Sequence, residues 1–292
     1  MKNLFFSFIL LLPISVLSFE VQYELPSYPN RDQISAFKNE DGVSFKFCCY
    51  YPSKSEVLVL NSIRPGHIHI KAGFFPSMSE IEALNQITGG YSIEVSEVFP
   101  GPEDYSNINN SNIKELIINS SDFITKGEAV AFNGFDVNVR LNINHKEYPL
   151  PRHMKILRLL NKNITIGFKN DVPPGIGYAN FFNNLNLKKV FNITNKFPYG
   201  DDAIGINGLT QSRIEISPEE RLMPQDLPVL NDIKLDKNIY LKDQRPYTNE
   251  LIQRINSINA SNIYIDVFKE DIKNPILQNL KYGQSKVILI NK

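Results

Sequence analysis

Between residues 135 and 143 apolar and polar side chains alternate without a break. Phe135, Val137, Val139, Leu141 and Ile143 fall on one side of an extended chain, and Asp136, Asn138, Arg140 and Asn142 on the other. A strand repeats every two residues, so this segment predicts a sheet with one apolar and one polar face. Such half-buried alternation points to an antiparallel sheet.

After Pro151 the pattern changes. "HMKILRLLNK", "YANFFNNLNLKKV" and "TNELIQRINSI" carry helical spacing, while "ITIGF", "FNIT", "NIYIDVF" and "KVILI" are strand-like. Residues 198 to 240, rich in Pro and Asp, predict mostly loop. This alternation implies a mixed or parallel sheet covered by helices, an α/β or α+β domain over residues 125–292. From residue 19 to about 105 the runs "VSFKFCCYY", "HIHIKAGFF" and "YSIEVSEVF", punctuated by Pro and Gly, predict an all-β sandwich. The Asn- and Ser-rich segment 106–124 serves as a linker. No internal repeat emerges, and "PPGIGYAN" lacks the full dinucleotide fingerprint and predicts a turn.

Charge sets limits on partners. Thirty-one basic and 31 acidic residues balance, which gives no electrostatic footprint for nucleic acid. Residues 1–18, with Lys2 before the apolar run "LFFSFILLLPISVL", have the form of a cleaved signal peptide, so the expectation is a secreted or periplasmic protein with no stable membrane span. The two cysteines, Cys48 and Cys49, are adjacent; at least one is expected to act as a small buried hydrophobe. Sequons begin at Asn109, Asn119, Asn163, Asn192 and Asn259, which carry no argument in a chain so rich in asparagine.

The chemistry concentrates in "RPGHIHIKAG". On a strand His67 and His69 project to the same face, suited to two cis positions on a metal ion, with Ile68 and Ile70 turned into a core. Arg64 stands near enough to meet an anionic substrate. "DGVSFKFCCYYP", "RPGHIH" and "TGGYSIEVSEVFPG" together resemble the catalytic core of the intradiol ring-cleavage dioxygenases over about residues 35–105. Asp41, Gly42, Phe45, Phe47 and Pro52 fall in register with that family's first block, and Arg64, Pro65, His67, Ile68 and His69 with its second.

The resemblance implies a β-sandwich holding non-haem Fe(III) between two tyrosines and two histidines, and cleavage of a small catechol-type aromatic substrate by O2. It places Ser55 where the family has one ligand tyrosine. Tyr50 or Tyr51 would supply that phenolate, and Tyr23 or Tyr28 the other, so the expected ligands are His67, His69, Tyr28 and Tyr51, with Arg64 in a catalytic role. The alternative is a non-catalytic binding or interaction protein on the same scaffold. Lesser candidates are His145, His153 and Glu147 as a second site, Asp201 and Asp202 as a carboxylate pair, and Asp266 at a sheet's carboxyl edge.

Overall fold

The computed structural model describes residues 20–25, 27–29, 43–268, 270–271, 274–280 and 285–291. Its strands are β1 (Glu20–Leu25), β2 (Ser44–Cys48), β3 (His67–Ala72), β4 (Tyr91–Ser96), β5 (Glu115–Ser120), β6 (Val139–Ile143), β7 (Ile164–Asn170), β8 (Lys188–Asn195), β9 (Ser212–Pro218), β10 (Lys237–Leu241), β11 (Asn262–Val267) and β12 (Lys286–Asn291). Every neighbouring pair is parallel, and β1 pairs with both β2 and β12, so the twelve strands close into one barrel.

Parallel neighbours need long crossovers, and these carry the helices. They are α1 (Lys54–Asn61), α2 (Met78–Leu84), α3 (Pro102–Asn109), α4 (Lys126–Phe132), α5 (Pro151–Leu157), α6 (Ile176–Asn183), α7 (Asp202–Asn207), α8 (Asp226–Asp232) and α9 (Asn249–Asn256). A short 3-10 turn at Leu277–Asn279 takes the helix's place before β12.

From β3 to β12, strand starts lie 24 or 25 residues apart. The chain is therefore a strand–helix repeat closed on itself, and two of its devices recur with the same period. At helix starts, the main-chain N–H groups of Ser53, Ser77, Gly101 and Thr125 donate to the carboxylates of Glu56, Glu80, Asp104 and Glu128, at 2.7–2.8 Å. Each carboxylate satisfies an otherwise orphaned donor and sits at the positive end of its helix.

At helix ends, asparagines link each repeat to the next. Asn61, Asn85, Asn109, Asn133, Asn183, Asn207 and Asn231 each donate from Nδ2 to a carbonyl in the following repeat, at 2.8–3.1 Å. Their Oδ1 atoms accept from the amides of Thr88, Asn112, Asp136, Asn161, Thr210, Lys234 and Asn259. Arg158, at the end of α5, occupies the one position between Asn133 and Asn183 where the ladder has a gap.

The core lies between the strand ring and the helices. Phe45, Phe47, Ile68, Ile70, Ile93, Val95, Leu116, Ile118, Leu141, Ile166, Ile193, Ile216 and Ile265 are all fully buried there, against Val57, Leu60, Leu84, Ile108 and Phe132 of the helices. Each such side chain contributes about 1.5–3 kcal/mol by leaving water. The intervening strand residues face inward. A twelve-stranded ring is wider than the eight-stranded kind whose interior side chains fill completely, and this lumen is lined largely by polar groups.

These observations correct the expected architecture. There is no β-sandwich followed by a separate α/β or α+β domain, but one closed parallel barrel. The segment expected as a linker, 106–124, contains the end of α3 and all of β5, and the expected loop 198–240 contains α7, β9, α8 and all but the last residue of β10. The antiparallel expectation for 135–143 fails because β6 is paired in parallel with β5 and β7. Its alternation has another cause: one face meets the helices and the other the polar lumen. The expected signal segment, residues 1–18, and Asp41 and Gly42 lie outside the described residues.

Candidate functional site

The inner face of β3 and β4 brings His67, His69, Ser92 and Glu94 together. His67 and His69 do project together, as the two-residue period requires, and both reach the neighbouring strand. His67 Nε2 and His69 Nδ1 lie 3.0 and 2.9 Å from the same atom, Ser92 Oγ, and His69 Nε2 lies 2.9 Å from Glu94 Oε2. Ser92 sits opposite His69 in the β3–β4 register. Burial pushes the Glu94 carboxyl up, but the His69 hydrogen bond and the charges of His69, Lys71 and Lys46 outweigh it and bring it down to about 2. Burial, His69 and Lys114 hold the His67 imidazole below its usual value.

An ionised Glu94 only accepts, so the proton between the two lies on His69 Nε2. With His69 neutral, its Nδ1 accepts the Ser92 hydroxyl proton and Ser92 Oγ accepts from His67 Nε2–H; with His69 charged, Nδ1–H donates to Ser92 Oγ and the hydroxyl donates to His67 Nε2.

Deeper around the ring, Arg140 on β6 reaches Glu215 on β9 with two parallel hydrogen bonds of 2.9 and 2.7 Å. Glu215 is only 6% exposed. The cost of burying the Arg140 guanidinium is outweighed by Glu215 and Glu115, so its proton is held more tightly still. Glu115 has no such dedicated partner, and desolvation pushes its carboxyl up. Tyr240 and Tyr264 stack 4.4 Å apart, and Glu215 and Arg140 act electrostatically on Tyr240.

The carboxyl ends of the strands form the mouth of this lumen, where sites of parallel barrels gather. An open cavity of about 230 Å³ there is lined by Glu24, Leu25, Lys46, Phe47, Cys48 and Lys71. Its charges are paired: Lys46 to Glu24 at 3.0 Å and Lys71 to Glu94 at 3.5 Å. Cys48 and Cys49 are joined as a vicinal disulfide at its edge, Cys48 half-buried and Cys49 exposed, so neither is the buried hydrophobe expected. A second open cavity, about 560 Å³, lies along the same rim at Ser121, Asn144, His145, Lys146 and Glu147.

The rim has a second property. Of the fifteen exposed large apolar residues among those described, eight stand in strand-to-helix loops: Tyr50, Phe74, Phe99, Leu150, Val172, Tyr199, Met223 and Phe268. The opposite end of the barrel holds one, Leu159; there the asparagine ladder closes the repeats. Neither the ring of apolar tips nor the ladder figured in the sequence reading. The ladder follows a 24-residue spacing that becomes visible only when the segments are aligned to one another, and the apolar tips recur in the strand-to-helix loops of most repeats.

The other expected site residues are dispersed. Tyr28 and Tyr51 lie on the helix side of the strand wall, packed with Phe47 and Phe74. Their hydroxyls donate to the carbonyls of Tyr50 and Phe74, at 2.9 and 2.6 Å. Burial first, and then nearby acidic side chains, push both phenols far up. They are protonated donors on the far side of the wall from His67 and His69, and the set does not fit a two-tyrosine, two-histidine ferric centre. Arg64 is exposed in the loop before β3, with a left-handed φ of 49°, at the amino end. Ser55 is in the first turn of α1 with its hydroxyl 3.0 Å from that of Ser53.

His153 takes the helix-start position that Glu56 and Glu128 occupy elsewhere, its Nδ1 accepting from Leu150 N–H. His145 Nδ1 accepts from Glu147 N–H, and the two imidazoles pack on Phe123 from ring centroids 4.7 and 4.1 Å away. Asp202 is likewise a helix cap, accepting from Tyr199 N–H, with Asp201 just before the helix. Asp266 stands near the carboxyl end of β11.

Comparison with protein-family models, with curated proteins and with solved structures gives no match to this chain.

Proposed function

We propose that the protein is a binding protein that engages a partner protein through the carboxyl-end rim of its barrel. The single observation that carries this is the asymmetry of exposed apolar side chains, eight in the strand-to-helix loops against one at the opposite end. Exposed apolar groups gathered on one face mark interaction surfaces, and Tyr, Phe and Met are the residue types enriched at protein interfaces. The repeat explains how such a face arises: successive units place their strand-to-helix loops on the same circle, and eight of these loops carry an exposed apolar tip, as in other repeat architectures that build extended binding surfaces. This takes up the binding alternative. Catechol cleavage is set aside because its ferric ligand set is split across the strand wall.

The test is site-specific photo-crosslinking in cells that make the full chain. A photoreactive residue at Phe99 or Tyr199 should capture an adduct of discrete mass. One at Leu58 or Val130, exposed on the helix faces, should not. An adduct at twice the chain's own mass would make a second copy the partner. Equal capture from rim and helix positions, or none from the rim, refutes the proposal.

A further inference from the structure

We infer that His67 and His69 chelate a borderline divalent cation, of the Cu2+ or Zn2+ class, inside the lumen. This is independent of the rim and differs in ligand set from the ferric site considered above. The two imidazole nitrogens converge on one point, now held by Ser92 Oγ, at 3.0 and 2.9 Å. Imidazole–metal bonds are about 2.0–2.1 Å, so two ligand atoms at right angles on one ion lie about 2.9 Å apart, which is the separation each nitrogen keeps from Ser92 Oγ; the ion lies beside that oxygen and shares it with both rings.

A second feature supports the same point. Glu94 holds the far nitrogen of His69 at 2.9 Å, the carboxylate–histidine arrangement that fixes the tautomer and aims the near nitrogen's lone pair outward. In the neutral tautomer with its proton on Nε2, His69 offers Nδ1 to the ion, and His67 offers Nε2 with its own proton on Nδ1. Glu115 lies opposite Ser92 in the β4–β5 register and acts electrostatically with His69. It is placed to offset part of the cation's charge.

Among the described residues no three His, Cys, Asp or Glu side chains converge as a cluster. The ligands are therefore two neutral nitrogens and a hydroxyl, with water completing the shell. Neutral imidazoles without anionic phenolates suit Cu2+, Zn2+ and Ni2+ rather than Fe(III). With 18% of the His69 side chain accessible, an ion can enter from the lumen.

The experiment titrates the untagged full chain with CuCl2 and ZnCl2 by calorimetry, and takes a Cu2+ electron paramagnetic resonance spectrum. One ion should bind, with two imidazole nitrogens coupled to copper. His67→Asn or His69→Asn should weaken binding at least tenfold, and Glu94→Gln by about 10- to 100-fold. The double variant His145→Asn/His153→Asn should bind as the wild type does. Equal affinity in the wild type and His67→Asn overturns the inference. If the β3 variants do not fold, the wild-type spectrum decides alone: any nitrogen count other than two overturns it.

Discussion

Asn183 is a rung of the ladder on which one side chain makes three hydrogen bonds to the next repeat. Its Nδ2 donates to the Gly208 carbonyl at 2.8 Å, and its Oδ1 accepts from the Thr210 amide at 2.8 Å and the Thr210 hydroxyl at 3.0 Å. Asn183→Ala removes all three links between the α6 and α7 repeats. A hydrogen bond contributes about 0.5–1.5 kcal/mol net, and more is lost when its partner stays buried. Here Gly208 and Thr210 are exposed, so water reaches the abandoned groups and the lower part of that range applies. The sum is about 2 kcal/mol. For a chain of 292 residues that lowers the melting temperature by about 3 °C. The neighbouring Asn184 supplies the control. It bonds only to the Asn180 carbonyl one turn back, and it is exposed. Asn184→Ala should cost no more than about 0.5 kcal/mol. The assay is urea unfolding of both variants followed by circular dichroism, with equal slopes required for the comparison. If the two variants unfold within 0.5 kcal/mol of one another, the ladder does not hold the repeats together and the argument fails.

Three further outcomes follow from the same geometry. Arg158→Asn fills the ladder's gap at the turn around Asn184–Asn186 and should raise stability by about 1 kcal/mol in urea unfolding; a loss would show that the gap is required. Arg140→Met leaves Glu215 buried and unpaired beside Glu115 and should cost about 3–5 kcal/mol, while Arg140→Met/Glu215→Gln should regain most of it; a double variant as unstable as the single would refute the pairing. The folded-state pKa of Glu94, about 2, is below its unfolded value. Its contribution is therefore present above about pH 4.5 and is lost as pH falls towards 2. Glu94→Gln should be less stable than the wild type at pH 6 and indistinguishable from it near pH 2; a gap that stays constant with pH would contradict the assignment.

The sequence made the individual elements legible and hid the plan that joins them. β2, β3, β4, β7, β11 and β12 stand where the alternating or apolar runs placed them, and α9 where "TNELIQRINSI" did. What misled was the meaning of alternation. A polar face on β6 was assigned to outside water, which implies an antiparallel sheet, whereas Arg140 and Asn142 face an internal polar lumen that a wide parallel ring can accommodate. The helices α1 to α3 were missed because each has only seven or eight residues and too few apolar positions to show a period. Their starts, however, are marked by Ser53–Glu56, Ser77–Glu80 and Gly101–Asp104, and lining these up gives the 24-residue spacing directly. The asparagines hid for a related reason. In a chain full of Asn, those at 61, 85, 109 and 133 look like composition until their spacing is measured, and Arg158 then interrupts the series. The histidine pair shows the limit in the other direction. Same-face projection of His67 and His69 follows from strand geometry and holds in any sheet. Which groups face them depends on the strand next door, and in this ring that strand supplies Ser92 and Glu94. The tyrosines expected there pack instead behind the wall.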